Sequence, residues 1–151
     1  MKNKTKVVIV GAGYSGINLI NQLASNSNVE ITLINKTSYH LHQTDIHKYI
    51  SGQYDFDKVA FDLKQYAKNK GIKFVHTCVK DIKFDDKVII GENGEIIKYD
   101  YIAIATGSVS FFPRQIKNIE DYAQDIKDVI ILKEQRTKFL NILKIEKKNK
   151  N

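Results

Sequence analysis

Three glycines near the start of the chain have the spacing of a phosphate-binding turn. Gly11, Gly13 and Gly16 follow the pattern G-x-G-x-x-G. In such a turn the first glycine permits a tight bend, the second lets the backbone approach a pyrophosphate, and the third allows a helix to pack closely on a strand. A helix that begins there directs N–H groups and partial positive charge at the phosphates. These residues therefore favour the binding of a dinucleotide.

The segments on both sides of the glycines are those that this turn requires. Val7–Val10 is a run of β-branched apolar residues, typical of a strand that is buried on both faces. An amphipathic helix is predicted over Ser15–Ser25 and a second strand over Val29–Ile34, which completes a β-α-β unit. The alternative is a glycine-rich strand, loop and helix without a ligand. The flanking strand and helix favour the nucleotide.

A polar residue at the end of the second strand is the next candidate. In a dinucleotide site, the position about 20 residues after the glycines faces the adenosine ribose and is commonly acidic. Here Asn35 or Lys36 occupies it. The side-chain carbonyl of Asn35 can accept a hydrogen bond from a ribose hydroxyl. The alternative is a polar strand end that faces water.

The connection Tyr39–Gly52 carries three histidines, at His40, His42 and His47. Their spacing is not that of a zinc helix, in which two ligands lie four residues apart beside a carboxylate. The connection leaves the carboxyl end of the second strand, where open α/β sheets bind ligands. A loop that lines a cofactor pocket is therefore favoured over a metal site.

The remaining patterns predict an α/β fold with an inserted antiparallel β-meander. Asp85-Asp86 and Asn93-Gly94 separate short β segments, and Asn-Gly is a strong hairpin signal. A buried strand at Tyr101–Ala105 ends in Thr106-Gly107, where small residues permit close backbone approach. The other predicted elements are a helix over Asp57–Asn69 that is capped by Asp55 or Asp57 and ends at Gly71, strands over Ile72–Val75, Val79–Phe84, Val88–Ile90 and Glu95–Ile97, and a helix over Ile126–Leu143 with Val129, Leu132, Phe139 and Leu143 on one face.

Composition limits the class of protein. A chain of 151 residues with 42% hydrophobic and 27% charged residues is typical of a single soluble domain. No apolar run reaches the roughly 20 residues that span a membrane, and the N-terminus has no signal-peptide core, so we expect a cytoplasmic location. The net charge of +7 lies mostly at the termini without interleaved aromatic residues, which favours solvated tails over nucleic-acid binding. Cys78 is the only cysteine, which excludes an intramolecular disulfide.

The glycine turn and the strand that ends in Asp100-Tyr-Ile-Ala-Ile-Ala-Thr-Gly107 together resemble the FAD-binding half of flavoproteins with two dinucleotide-binding domains. Within that group, Ile31-Thr-Leu-Ile-Asn-Lys36, followed by Tyr39-His40, Thr44, His47 and Gly52, is most similar to type II NADH:quinone oxidoreductases. These are flavoproteins like the pyridine nucleotide-disulfide oxidoreductases. The resemblance covers Lys6 to about Leu143 and implies one partial, Rossmann-like FAD-binding domain over residues 1–151.

The resemblance implies FAD as the cofactor and gives roles to individual residues. Thr44 would lie near the isoalloxazine end, and the backbone of Val79 would contact adenine. Asn35 and Lys36 would meet the adenosine ribose. The residues around the pyrophosphate would be Gly11, Gly13, Tyr14, Ser15, Gly16, Ala105, Thr106 and Gly107.

The sequence departs from this group in two respects. His42 and His47 stand where disulfide reductases carry a C-x-x-x-x-C pair, so electrons would leave the flavin for a quinone or another acceptor. No second glycine-rich turn follows the last predicted helix. The resemblance therefore implies a truncated FAD-binding portion in which the NADH site is absent. We expect turnover to need a second chain that supplies the missing C-terminal half, and a location at the inner face of the membrane if the two assemble.

Two alternatives from other classes remain open. In the first alternative, the chain is a stand-alone nucleotide-binding or interaction module that uses the glycine turn without redox chemistry. In the second alternative, the chain is an inactive remnant that folds poorly, because its last strand and helix would expose apolar surface that a missing domain would otherwise cover.

Overall fold

The chain divides into two units. The structure is a computed structural model and describes residues 4–109, 111–113, 115–123, 126–127 and 129–148. The sheet unit comprises residues 1–40 and 61–107, and the helical unit comprises residues 41–60 and 108–151, in each case apart from the residues just excluded. The assignment of residues 1–151 to one domain stays a prediction.

Strands and helices are interspersed along the first half of the chain, and a succession of strands follows before the last two helices. In chain order they are β1 (Thr5–Val10), α1 (Tyr14–Leu23), β2 (Val29–Asn35), β3 (Tyr39–Leu41), a 3-10 turn (Gln43–Asp45), α2 (Ile46–Ile50), α3 (Phe56–Val59), β4 (Ala60–Asp62), α4 (Leu63–Lys70), β5 (Lys73–His76), β6 (Val79–Lys83), β7 (Val88–Gly91), β8 (Ile96–Lys98), β9 (Tyr101–Ile104), α5 (Ile119–Tyr122) and α6 (Val129–Lys148).

Four parallel strands form the main sheet of the sheet unit, in the order β5-β2-β1-β9. Both faces of the sheet are covered, which explains the apolar run Val7–Val10 in the central strand β1. On one face, Val8 and Ile34 pack with Ile89 of the meander strand β7. On the other face, Ile9 packs with residues of α1 and α4, among them Ile20. The predicted Rossmann-like fold, a parallel sheet with an inserted antiparallel meander, is confirmed.

The meander consists of β6, β7 and β8, which pair antiparallel in sequence order. The predicted turn at Asn93-Gly94 separates β7 from β8. Gly94 has a φ of 80°, a conformation that favours glycine, and the Asn93 side-chain oxygen accepts from the N–H of Glu95 at 3.1 Å. The predicted bounds of the three strands agree with the observed ones to within one or two residues.

The helix predicted over Asp57–Asn69 is wrong as a continuous element. It is divided into α3 and α4 by the short strand β4, which pairs with β3. The cap of α4 is Asp62, whose side chain accepts from the N–H of Gln65 at 2.6 Å. The apolar spacing matched a helix, but tertiary pairing keeps this segment extended. The predicted stop at Gly71 is confirmed, with a φ of 65° at the helix end.

The helical unit has its own small core. Ile46 and Tyr49 of α2 pack with Val59 of α3 and Leu132 of α6. Leu132 is fully buried, whereas two further members of the predicted apolar face of α6, Phe139 and Leu143, are 39% and 38% exposed. Helix α6 begins at Val129, so the predicted start at Ile126 is three residues too early.

Arg136 connects three parts of the helical unit. Its guanidinium donates to the carbonyl oxygens of Tyr49 at 2.6 Å and Tyr54 at 2.5 Å, and lies 3.2 Å from a carboxylate oxygen of Asp55. It also stacks on the Tyr49 ring at 4.5 Å from the centroid. These contacts hold α6 against the end of α2 through one planar group. Within the described residues, no helix has the length and apolar character needed to cross a membrane.

Candidate functional site

The glycine turn joins the carboxyl end of β1 to helix α1, as the spacing predicted. Gly11 has a φ of 106°, and a Cβ atom there would overlap the carbonyl oxygen of Ala105. A Cβ atom on Gly16 would overlap the carbonyl oxygen of Gly11. These two glycines are therefore required by contacts within the chain itself: one by a backbone bend and close approach, the other by the packing of α1 on the turn.

Gly13 differs from its two neighbours in the motif. A Cβ atom there would come no closer than 3.9 Å to another part of the chain, at the carbonyl oxygen of Ala105. Its φ of −74° is open to any residue. Gly13 is exposed, and the chain gives no internal reason for a missing side chain. The space beside it is what a pyrophosphate would need, so the turn fits such a group.

The N-terminus of α1 suits an anion. The helix begins at Tyr14, and the first-turn N–H groups of an α-helix have no intrahelical acceptor. All of α1 is described, and its first turn contains no acidic residue. Ser15, like Tyr14, is exposed. A negative group placed here would be stabilised by about 0.3–1 kcal/mol through the helix dipole alone.

The segment that follows β9 lies against this turn. The N–H of Ala105 donates to the carbonyl of Val10 at 2.7 Å, and its own carbonyl is the atom that a Gly11 side chain would overlap. Thr106 and Gly107 are exposed, and Gly107 has a φ of 70°. The structure therefore brings together the two backbone segments that the sequence placed around a pyrophosphate.

Asn35 at the end of β2 does not simply face water. It is half-buried, and its side-chain oxygen accepts from the N–H of Ala12 at 2.9 Å. Its amide nitrogen donates to the carbonyl and to the hydroxyl of Thr37, at 3.0 and 2.9 Å. Lys36 is exposed, and its carbonyl lies 3.2 Å from Nε2 of His76. A ribose contact by either residue stays a prediction.

His40 lies beneath the glycine turn, a position that the sequence did not reveal. The residue is 4% exposed, and Nδ1 lies 2.6 Å from the carbonyl oxygen of Ala12. The ring stacks on Phe61 at 4.8 Å and meets the edge of Tyr14 at 5.3 Å, measured between centroids. The sequence placed His40 in a loop that lines a pocket. The burial of His40 between two half-buried residues of β3 is seen only in the structure.

The other two candidates are not part of the turn. Val79 begins the meander, is half-buried and packs against the core on that face of the sheet. Thr44 is exposed in the 3-10 turn of the helical unit. Next to Thr44 in sequence, the Lys48 ammonium donates to the Asp45 carboxylate at 2.7 Å, and this hydrogen bond lowers the pKa of Asp45. No cluster of three acidic, histidine or cysteine side chains suited to a metal ion occurs among the described residues.

The whole length from β1 to the middle of α6 matches one known family. The family model of the pyridine nucleotide-disulphide oxidoreductases matches residues 5–143. This chain belongs to that family. The type II NADH:quinone oxidoreductase of Staphylococcus aureus is 31% identical to it in an alignment that covers 99% of this chain and 39% of that protein. The resemblance stated from the sequence is thereby confirmed.

Solved structures of similar proteins share the fold. A sulfide:quinone oxidoreductase from Aquifex aeolicus superposes with a TM-score of 0.80 at 24% identity, over 92% of this chain and 32% of the other. NDH2 from Plasmodium falciparum superposes with a TM-score of 0.76 at 25% identity, over 94% of this chain and 30% of the other. The chain thus spans less than two-fifths of the length of each of these proteins.

Membership of the pyridine nucleotide-disulphide oxidoreductase family supports FAD as the cofactor, as the sequence predicted. The open space at Gly13 and the helix end beside it are consistent with the pyrophosphate of that cofactor. The chain has a single cysteine, Cys78, and therefore lacks the cysteine pair to which the family name refers.

Proposed function

We propose that this chain forms the N-terminal part of the FAD site in an oxidoreductase that passes electrons from NADH to a quinone. The observation that carries this proposal is the glycine turn, in which Gly11 and Gly16 are required by the chain and Gly13 is not. The 31% sequence identity to a type II NADH:quinone oxidoreductase, over 99% of this chain, supports the choice of NADH as electron donor and quinone as acceptor.

The pyrophosphate is proposed to lie against the exposed part of the turn. The backbone at Gly13, Tyr14 and Ser15 supplies N–H donors and the positive end of α1, while Gly11 and Gly16 shape the bend. The residues Ala105, Thr106 and Gly107 close the site from the direction of β9. Hydrogen bonds from these N–H groups to charged phosphate oxygens contribute about 1.5–3 kcal/mol each.

The remaining contacts follow the family resemblance. Asn35 and Lys36 are proposed at the adenosine ribose, and the backbone of Val79 at adenine. Thr44 is proposed near the isoalloxazine ring. That ring supplies the hydride chemistry when FAD is bound, and the residues of this chain bind and orient the cofactor.

NADH and quinone are proposed to bind through the rest of a longer assembly. The family relative from Staphylococcus aureus is matched over 39% of its length. We propose that a further segment or a second chain supplies the NADH site, and that the assembled enzyme works at the cytoplasmic face of the membrane. Exposed apolar residues on β9, Tyr101 at 68% and Ile104 at 60%, are consistent with an edge that this segment covers.

The visible absorption spectrum of the purified chain tests the cofactor. Flavin absorption that co-elutes with the protein, or that appears after incubation with FAD and gel filtration, supports the proposal. A colourless protein that binds ADP or NAD but not FAD indicates a stand-alone nucleotide-binding module. A colourless chain that aggregates and binds no nucleotide indicates an inactive remnant.

The electron path is tested separately. NADH oxidation with a soluble quinone is measured for the chain alone and after co-expression with a candidate chain that contains a second G-x-G-x-x-G turn. We expect activity only for the pair. Activity of the chain alone would contradict the proposed division of the two nucleotide sites.

A further inference from the structure

Two side chains hold both backbone groups of Ala12, the residue in the middle of the phosphate-binding turn. The N–H of Ala12 donates to the Asn35 side-chain oxygen at 2.9 Å. The carbonyl of Ala12 lies 2.6 Å from Nδ1 of His40. A carbonyl oxygen has no proton to give, so Nδ1 carries the hydrogen and donates it. Ala12 itself is 5% exposed, which makes the loss of either partner costly.

These contacts set the direction of the next N–H group. The carbonyl of Ala12 and the N–H of Gly13 belong to one planar trans peptide and point in opposite directions. Because His40 binds the carbonyl from inside, the N–H of Gly13 is directed away from His40. Gly13 is exposed, with open space beside it. The buried histidine therefore orients a donor of the proposed phosphate site without touching the ligand.

The surroundings of both side chains fix their orientation. The His40 ring is held between Phe61 and Tyr14, with an interplanar angle of 27° to the first and 86° to the second. The Asn35 amide nitrogen donates to the carbonyl and to the hydroxyl of Thr37. The oxygen of the same amide therefore faces Ala12. An aspartate here would place a second oxygen against the Thr37 carbonyl.

We propose that Asn35 and His40 are positioning residues, which preset the Ala12 peptide groups so that the turn is ready for a phosphate before ligand arrives. This inference rests on the proposed function of the turn and adds a role for Asn35 that is distinct from ribose contact. Donors that are already ordered in the free chain bind a ligand more tightly, because less conformational entropy is lost on binding.

The ribose role and the positioning role of Asn35 give different ligand dependences. Binding of ADP and of 2′,3′-dideoxy-ADP is measured by titration calorimetry for the wild-type chain and for Asn35→Ala. We expect Asn35→Ala to weaken binding of the dideoxy ligand as well as of ADP, in each case by about 5- to 100-fold, since an unpaired Ala12 N–H affects the phosphates. A loss for ADP that disappears with the dideoxy ligand would overturn the positioning role and assign Asn35 to the ribose.

A pair of His40 variants separates hydrogen bonding from packing. His40→Phe keeps a ring between Phe61 and Tyr14 but has no donor. His40→Asn loses the ring but places an amide nitrogen the same number of bonds from Cα as Nδ1. We expect the phenylalanine variant to be the more stable to heat and the weaker in ADP binding, and the asparagine variant to show the reverse. Affinities that simply follow the melting temperatures would overturn the proposal.

Amide exchange in the ligand-free chain tests the same contacts when no nucleotide is present. We expect Asn35→Ala to speed exchange at the Ala12 N–H, while the N–H of Gly11, bonded to the carbonyl of Ile34 at 2.8 Å, keeps its rate. Unchanged exchange at Ala12 would overturn the positioning role. If exchange responds as expected but the wild-type chain binds neither ADP nor FAD, the proposed function fails while the positioning contact stands.

Discussion

Replacing Gly13 by valine separates ligand binding from folding. The backbone at Gly13 has φ −74° and ψ −173°, which is extended and open to valine. The nearest atom to a Cβ there is the Ala105 carbonyl oxygen at 3.9 Å, an ordinary contact. Gly13 is also the N-cap of α1, so the loss of helix stability is limited to about 1 kcal/mol. We therefore expect Gly13→Val to fold.

The expected loss of affinity follows from the donors that the new side chain blocks. The two methyl groups of valine would fill the space at the exposed side of the turn, where a phosphate would approach the N–H groups. Loss of two hydrogen bonds to charged phosphate oxygens, at about 1.5–3 kcal/mol each, gives about 3–6 kcal/mol. The dissociation constant for ADP or FAD should then rise by about 10²- to 10⁴-fold.

Titration calorimetry with ADP and thermal unfolding by circular dichroism measure the two effects. The matched control is Gly16→Ala, whose Cβ would overlap the carbonyl oxygen of Gly11. We expect this smaller substitution to lower the melting temperature more than Gly13→Val does. An unchanged ADP affinity in Gly13→Val would refute the assignment of the turn to the pyrophosphate. A melting temperature as low as that of Gly16→Ala would refute the claim that the chain leaves this space open.

Substitutions at three further positions test contacts within each unit. Arg136→Met should lower the free energy of unfolding by about 2–4 kcal/mol in urea titration, since it leaves the carbonyls of Tyr49 and Tyr54 without this donor; equal stability would show that water replaces the guanidinium. Asp62→Ala should lower the free energy of unfolding by about 1 kcal/mol through loss of the α4 cap, whereas Asp62→Asn should keep most of that stability. Equal stability of the two variants would contradict the capping role of Asp62. Gly71→Ala should lower the free energy of unfolding by about 1–2 kcal/mol, because the backbone at Gly71 has a positive φ. We expect no change in ADP affinity, and a loss of affinity would contradict the location of the phosphate site at the glycine turn.

The parts of this protein that sequence predicts are those governed by local pattern. The glycine turn is recognised by glycines at three fixed places. Apolar runs mark Val7–Val10 of β1 and Tyr101–Ile104 of β9, so these two strands could be located within one or two residues. The meander followed from short β segments and an Asn-Gly turn. Each of these signals lies within about ten consecutive residues.

The parts that sequence missed depend on partners far along the chain. Ala60–Asp62 has helical spacing, but the segment is extended because β4 pairs with β3, about 20 residues away. The role of His40 depends on a carbonyl 28 positions earlier, and that of Asn35 on an N–H 23 positions earlier. A polar residue at a strand end is compatible with ribose, water or backbone contact, and only the tertiary structure shows which groups the side chain meets.

The comparison of FAD with FMN tests the central claim most directly. FMN has the isoalloxazine ring and one phosphate but lacks the pyrophosphate and adenosine that the glycine turn is proposed to bind. The purified chain is titrated with each flavin, and binding is monitored through the quenching of flavin fluorescence. We expect FAD to bind saturably and to be displaced by ADP, and FMN to bind at least 100-fold more weakly. Equal affinity for the two flavins, or FAD binding that ADP does not displace, would contradict the account.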